Sequence, residues 1–105
     1  MTIQFNTANN VNGTETLNAR LSAVIAEKLN RFSDQITRVE AHLSDNNGQK
    51  EGLNDKQCVL EARLEGLQPI AVTNVANNYD DAVTGATTKL KSALDSAIGK
   101  LRNNS

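Results

Sequence analysis

Between residues 58 and 65 the chain alternates without a fault, with Cys58, Leu60, Ala62 and Leu64 on one phase and Val59, Glu61, Arg63 and Glu65 on the other. A two-residue repeat puts the two sets on opposite sides of a β-strand, which therefore has one dry face and one wet face. A strand of this kind needs sheet neighbours and an apolar layer over one side only, so the rest of the chain has to supply both.

It supplies three further strands. Ile3 and Phe5 alternate with Thr2, Gln4 and Asn6, and Thr37, Val39, Ala41 and Leu43 alternate with Arg38, Glu40 and His42. Ile70 and Val72 begin a strand that ends near Ala76, after a turn at Gly66-Leu67-Gln68-Pro69. Residues 44–56 contain Asn46-Asn47-Gly48 and Gly52 with almost no apolar side chain, and read as a long loop between two strands.

Two segments change period from two to between three and four. Leu17, Leu21, Val24, Ile25, Leu29 and Phe32 form one stripe, so a helix is predicted over residues 14–32, with Thr14 as cap and Glu15 in its first turn. Val83, Ala86, Leu90, Ala93, Leu94, Ala97, Ile98 and Leu101 form a second stripe, capped by Asn77 or Asn78 and helped by Asp80 and Asp81 near the positive end of the helix dipole. Gly85 and Gly99 each weaken that helix by about 1 kcal/mol relative to alanine.

The predicted class is α+β, in the order β-α-β-β-β-α. Both helices are expected on one face of a four-stranded, mostly antiparallel sheet, with residues 1–105 as a single domain.

The chemistry-bearing residues point away from catalysis. Cys58 is the one cysteine and His42 the one histidine, on opposite phases of their strands, so neither a disulfide nor a Cys–His zinc site is available within the chain. Cys58 reads as a buried small hydrophobe and His42 as a surface residue. No phosphate-binding glycine loop occurs, since Gly48 and Gly52 are not followed by a lysine and a hydroxyl residue. The expectation is a binding protein rather than an enzyme, without cofactor, metal or small-molecule substrate. No stretch has the length and apolarity of a membrane span, and the start Met1-Thr2-Ile3-Gln4-Phe5 does not read as a signal peptide, so a cytoplasmic location is expected.

The net charge of -1 conceals segregation. Between Thr16 and Phe32 the first helix carries Arg20, Lys28 and Arg31 against Glu27, and the second, after Ala82, carries Lys89, Lys91, Lys100 and Arg102 against Asp95. Arg20 and Arg31 fall about 20° apart around their helix, as do Lys89 and Lys100 around theirs, so each pair forms a short row beside an apolar stripe. Such rows suit phosphates, and they equally suit helices that only need a solvated flank.

Two stretches carry a family likeness. Asn9-Asn10-Val11 followed by Thr14-Glu15-Thr16-Leu17, and Asn78-Tyr79-Asp80-Asp81-Ala82-Val83 followed by Lys89-Leu90, together with the element order, resemble the short ribosome hibernation-promoting factors, which belong with the ribosome-associated inhibitors and sigma-54 modulation proteins. The resemblance implies a translation inhibitor that binds the small ribosomal subunit in the channel for messenger and transfer RNA, with basic helix residues on ribosomal RNA. Lys89 matches the family's lysine-leucine pair. Arg20, Lys28, Arg31, Lys91, Lys100 and Arg102 follow from placement and charge. Family members usually carry more basic residues where this chain has Val24-Ile25-Ala26 and Ser92-Ala93, and Asp80 replaces a tyrosine. Fewer phosphate contacts mean weaker, less salt-sensitive binding. The alternative implied is a divergent member that works as a protein-interaction module with little affinity for RNA.

Overall fold

A computed structural model describes residues 1–7, 14–45 and 56–103. The elements are β1 (Thr2–Thr7), α1 (Thr14–Lys28), a 3-10 turn (Asn30–Phe32), β2 (Ile36–Asp45), β3 (Lys56–Leu64), β4 (Ile70–Ala76) and α2 (Tyr79–Asn103). The expected loop falls mainly on residues 46–55, and the Asn9-Asn10-Val11 motif falls on residues 8–13, both outside the described residues. The cap proposed for Thr14 and the stripe position of Leu101 depend on side chains that are likewise outside them.

The four strands form one sheet in chain order, β1-β2-β3-β4. β1 and β2 are parallel, because the connection between them crosses over through α1, and the other two pairs are antiparallel. Both helices belong to one layer: α1 lies against β1 and beside α2, while α2 covers β3 and β4. Core side chains come from alternate strand positions, with Val39, Ala41, Leu43, Cys58, Leu60, Ala62 and Leu64 all buried. Leu21, Ile25 and Leu29 of α1 and Val83, Ala86, Leu90 and Leu94 of α2 close over them.

Two details depart from the sequence pattern. α1 does not run unbroken to Phe32: after Leu29 N–H donates to Ile25 O at 3.0 Å, the chain tightens, and Phe32 N–H donates to Leu29 O at 2.9 Å. The i to i+3 spacing of the 3-10 turn keeps Phe32 over the core, only 5% exposed. The second departure is Thr37, placed by alternation on the core face but exposed in the structure. A register shift between Ile36 and Arg38 makes Thr37 the extra residue of a β-bulge, and Ile36 takes the core position instead. The Thr37 hydroxyl donates to the Arg63 carbonyl at 3.0 Å.

The turn after β3 needs Gly66, whose φ of 79° lies in the left-handed region that other residues rarely adopt. Asn78 is the cap of α2: its Oδ1 accepts from the Asp81 backbone N–H at 2.8 Å, and its Nδ2 donates back to the Asp81 carboxylate at 3.2 Å. Among the described residues no helix is long and apolar enough to cross a membrane.

Candidate nucleic-acid interface

Each basic residue singled out above sits on the helical layer, but they do not merge into one row. Taking Leu90 as the buried centre of α2, Lys89 and Lys100 fall roughly 80–100° to one side, and Asp80, Lys91 and Asp95 fall roughly 80–140° to the other. The first flank overhangs β4 and the second faces α1, as the contacts below show.

On the α1 side, Arg20 pairs with Asp80 at 3.0 Å, and Arg31 pairs with Asp95. These contacts join early positions of the two helices to each other and late positions to each other, so α1 and α2 run side by side in the same direction. All four side chains are at least half exposed, so each pair contributes well under about 1 kcal/mol. The electrostatic consequence is larger than the energetic one, because both arginines of the α1 row have a carboxylate counter-charge. The Arg31 guanidinium also lies 4.6 Å from the centre of the Phe32 ring, a cation–π contact that fixes its plane. Arg31 and Asp95 line a cleft of about 230 Å³ with Phe32, Gln35, Ile98 and Gly99, which leaves the guanidinium within reach of an incoming anion.

On the β4 side, the Lys89 ammonium donates to the Thr73 carbonyl oxygen at 2.9 Å. The best family match among the basic residues is therefore engaged with backbone. Lys28, Lys91 and Lys100 are exposed and make no ion pair among the described residues. The side chain of Arg102 lies outside the described residues.

Charge is distributed along the helices as well as around them. Their amino-terminal halves hold Arg20 and Lys89 against Glu15, Asp80 and Asp81, whereas from the middle of α2 onward and at the end of α1 stand Lys28, Arg31, Lys91 and Lys100 against Glu27, Asp34 and Asp95. Acid near helix starts and base near helix ends both complement the parallel dipoles, so side-chain charge is most positive toward the carboxyl-terminal end of the layer, where it offsets the negative ends of the two helix dipoles.

Sequence reasoning missed the carboxylates. In the sequence Asp80 reads as a helix-start charge and Asp95 as a minority charge, yet each neutralises an arginine. The signal was present in part, since Asp80 and Asp95 share a flank of α2, but only the packed pair of helices shows that this flank meets Arg20 and Arg31.

His42 is exposed on the open sheet face, while Cys58 is fully buried among aliphatic side chains and its thiol is pushed up to about 12 by desolvation, so it is not a nucleophile. Among the described residues no three His, Cys, Asp or Glu side chains form a metal-holding group.

The sequence model of the family described as Sigma 54 modulation protein / S30EA ribosomal protein matches residues 5–102. This chain belongs to that family. Among solved structures, a ribosomal subunit interface protein from Coxiella burnetii is similar to this S30EA-family chain with a TM-score of 0.72 and 20% identity, covering 94% of this chain and 99% of its own. The Protein Y N-terminal domain of Thermus thermophilus is similar with a TM-score of 0.62 and 15% identity, covering 88% of this chain and 90% of its own. At those identities the likeness establishes a shared fold. No match is found among curated protein sequences. The family is one of ribosome-associated factors, so the expected fold and the expected family are both met.

Proposed function

We propose that this S30EA-family protein is a translation inhibitor of the hibernation type, docking on small-subunit ribosomal RNA with the positive end of its helical layer. The observation that carries the reading is that Lys28, Lys91 and Lys100, with Lys91 on the α1-facing flank of α2 and Lys100 on the other, are exposed toward the carboxyl-terminal end of the layer and unpaired among the described residues. Arg31 sits beside them, held by a carboxylate that an RNA phosphate can displace, and Arg20 is held the same way nearer the amino-terminal end. Lys89 joins the RNA contacts only by leaving the Thr73 carbonyl. Arg102 extends the same helix.

Binding of purified small subunits across a salt series tests the proposal. Three phosphate contacts give a log–log slope near 2–3, a loss on the order of 20–40-fold between about 50 and 200 mM salt. Recruitment of Arg20 and Arg31 raises the slope to about 4, so the slope also reports whether the ion pairs open. A Lys91→Glu, Lys100→Glu variant is expected to lose affinity and to flatten the slope by about 1.5–2. An affinity and slope identical to wild type would reject this surface.

One observation favours a second reading, a protein-interaction module with little RNA affinity: the α1 arginines that suit RNA are engaged internally with Asp80 and Asp95. Recovery of ribosomal proteins in a pull-down that survives nuclease treatment supports this second reading, and loss of that recovery supports the first.

A further inference from the structure

The sheet has an open edge on the side of α2 away from Arg20 and Arg31. Among the described residues β4 pairs with β3 and with no other strand. Its seven residues, IAVTNVA, carry no charge, and Val75 is 44% exposed on the open sheet face. A long, uncharged edge strand is a ready template for another extended chain, and proteins ordinarily protect such an edge with charge, proline or a bulge within the strand.

Which backbone groups face outward follows from parity. Glu65 N–H donates to Gln35 O at 3.2 Å, and Arg63 O accepts from Thr37, so the odd-numbered residues at the end of β3 direct their polar groups toward β2. The even-numbered Cys58, Leu60 and Ala62 then bond to their register partners Asn74, Val72 and Ile70. Ala71, Thr73 and Val75 are left with N–H and C=O groups aimed away from the sheet. The Lys89 contact agrees with this, since its ammonium reaches the Thr73 carbonyl from outside.

The chemistry on the two sides of that edge selects an occupant. On the helix side, Lys89 overhangs it as a cation; on the open side, Ala71, Thr73 and Val75 present small and apolar side chains. A strand added here directs alternate residues to each side. A second copy of β4 would bring no carboxylate to Lys89 and would bring a second Lys89 toward it, so self-pairing is disfavoured electrostatically. We infer that the outer edge of β4 is a strand-acceptor site for an extended peptide in which acidic residues, one of them facing Lys89, alternate with apolar residues facing Val75. On binding, a carboxylate takes Lys89, and the Thr73 carbonyl passes to a backbone N–H of the incoming strand.

The test is a titration of the isotopically labelled full chain with an end-blocked hexapeptide alternating valine and glutamate, followed by amide shifts and hydrogen exchange. Exchange at Ala71, Thr73 and Val75 is expected to slow by at least about tenfold at saturation. Thr73→Pro removes only an outward N–H, so the fold should persist, with a native circular dichroism spectrum, while binding falls by at least about tenfold. Lys89→Glu leaves the strand untouched and is expected to reverse the preference toward a valine–lysine peptide, which keeps the question decidable should the proline variant fail to fold. Any of four results overturns the site: no shift at about 5 mM peptide, shifts confined to the α1–α2 face, equal affinity for the two peptides in wild type, or edge protection that grows with protein concentration in the absence of peptide. Edge protection by a uridine oligonucleotide instead of the peptide assigns Lys89 to RNA and likewise overturns it. The peptide arms are read without ribosomes, and because Lys89 is also a proposed RNA contact, the uridine arm decides between the two uses of it.

Discussion

Gly85 lies inside a long helix, where its backbone freedom costs about 1 kcal/mol relative to alanine, so Gly85→Ala would be stabilising on propensity alone. The structure predicts the opposite. A Cβ at this position would sit 2.8 Å from Cγ of Asn74 and closer still to its Nδ2. Asn74 is on the helix-facing side of β4, with its amide donating to the carbonyls of Ala82 at 3.2 Å and Asp81 at 3.4 Å. Making room for the methyl turns that amide away and leaves a half-buried donor without a partner, at about 1–3 kcal/mol. Subtracting the propensity gain leaves a net destabilisation of about 1 kcal/mol, which lowers the melting temperature by about 4–8 °C in a domain of this size. In an Asn74→Ala background nothing opposes the methyl, and the same substitution should stabilise by about 1 kcal/mol. The double-mutant cycle therefore has a coupling energy of about 2 kcal/mol, measurable by urea unfolding of four proteins. Equal stabilisation by Gly85→Ala in both backgrounds would refute the claim that the glycine exists to let β4 and α2 approach.

Other consequences follow from the same contacts. Asp95→Asn releases Arg31 and is expected to raise affinity for small subunits several-fold, steepening the salt slope by about 0.7–0.9, as read in the same salt series; Asp80→Asn should act similarly through Arg20. Asn78→Ala removes the cap of α2 and should cost about 1 kcal/mol in urea unfolding. Cys58 should resist thiol reagents in the native protein and react at the rate of global unfolding, checked by alkylation across urea concentrations. Its ionisation also gives a pH signature: below about pH 9 the thiol is protonated in both states, but above that the unfolded chain loses the proton first. Wild type should therefore lose up to about 1.4 kcal/mol per pH unit between about 9 and 12 relative to Cys58→Ala, and a parallel pH profile of the two would refute the burial argument.

The element order, the strand phases and the two helical stripes are all legible in the sequence, because they depend on local periodicity: a side chain two residues along a strand, or three to four along a helix, returns to the same face whatever the rest of the chain does. Hence the buried set of β3 and the core positions Leu21, Ile25 and Leu29 of the α1 stripe stand as read, Val24 being only half-buried, and of Asn77 and Asn78 it is Asn78 that caps α2. Where a contact from another strand intervened, the reading slipped: the bulge that exchanges Ile36 for Thr37 on the core face is a register adjustment to β3, and no feature of β2 alone encodes it.

For the candidate site the division is sharper. Composition and helical position placed Arg20, Lys28, Arg31, Lys89, Lys91 and Lys100 on the helical layer, and the family likeness gave them a purpose. Their electrostatic state was decided only by packing. Laying α1 against α2 brought Asp80 to Arg20 and Asp95 to Arg31, and laying α2 over the edge of the sheet brought Lys89 to the carbonyl of Thr73. A charge's availability depends on what lies within a few ångströms of it, and those neighbours come from 16 to 64 residues away in the chain, a separation across which no sequence period reaches.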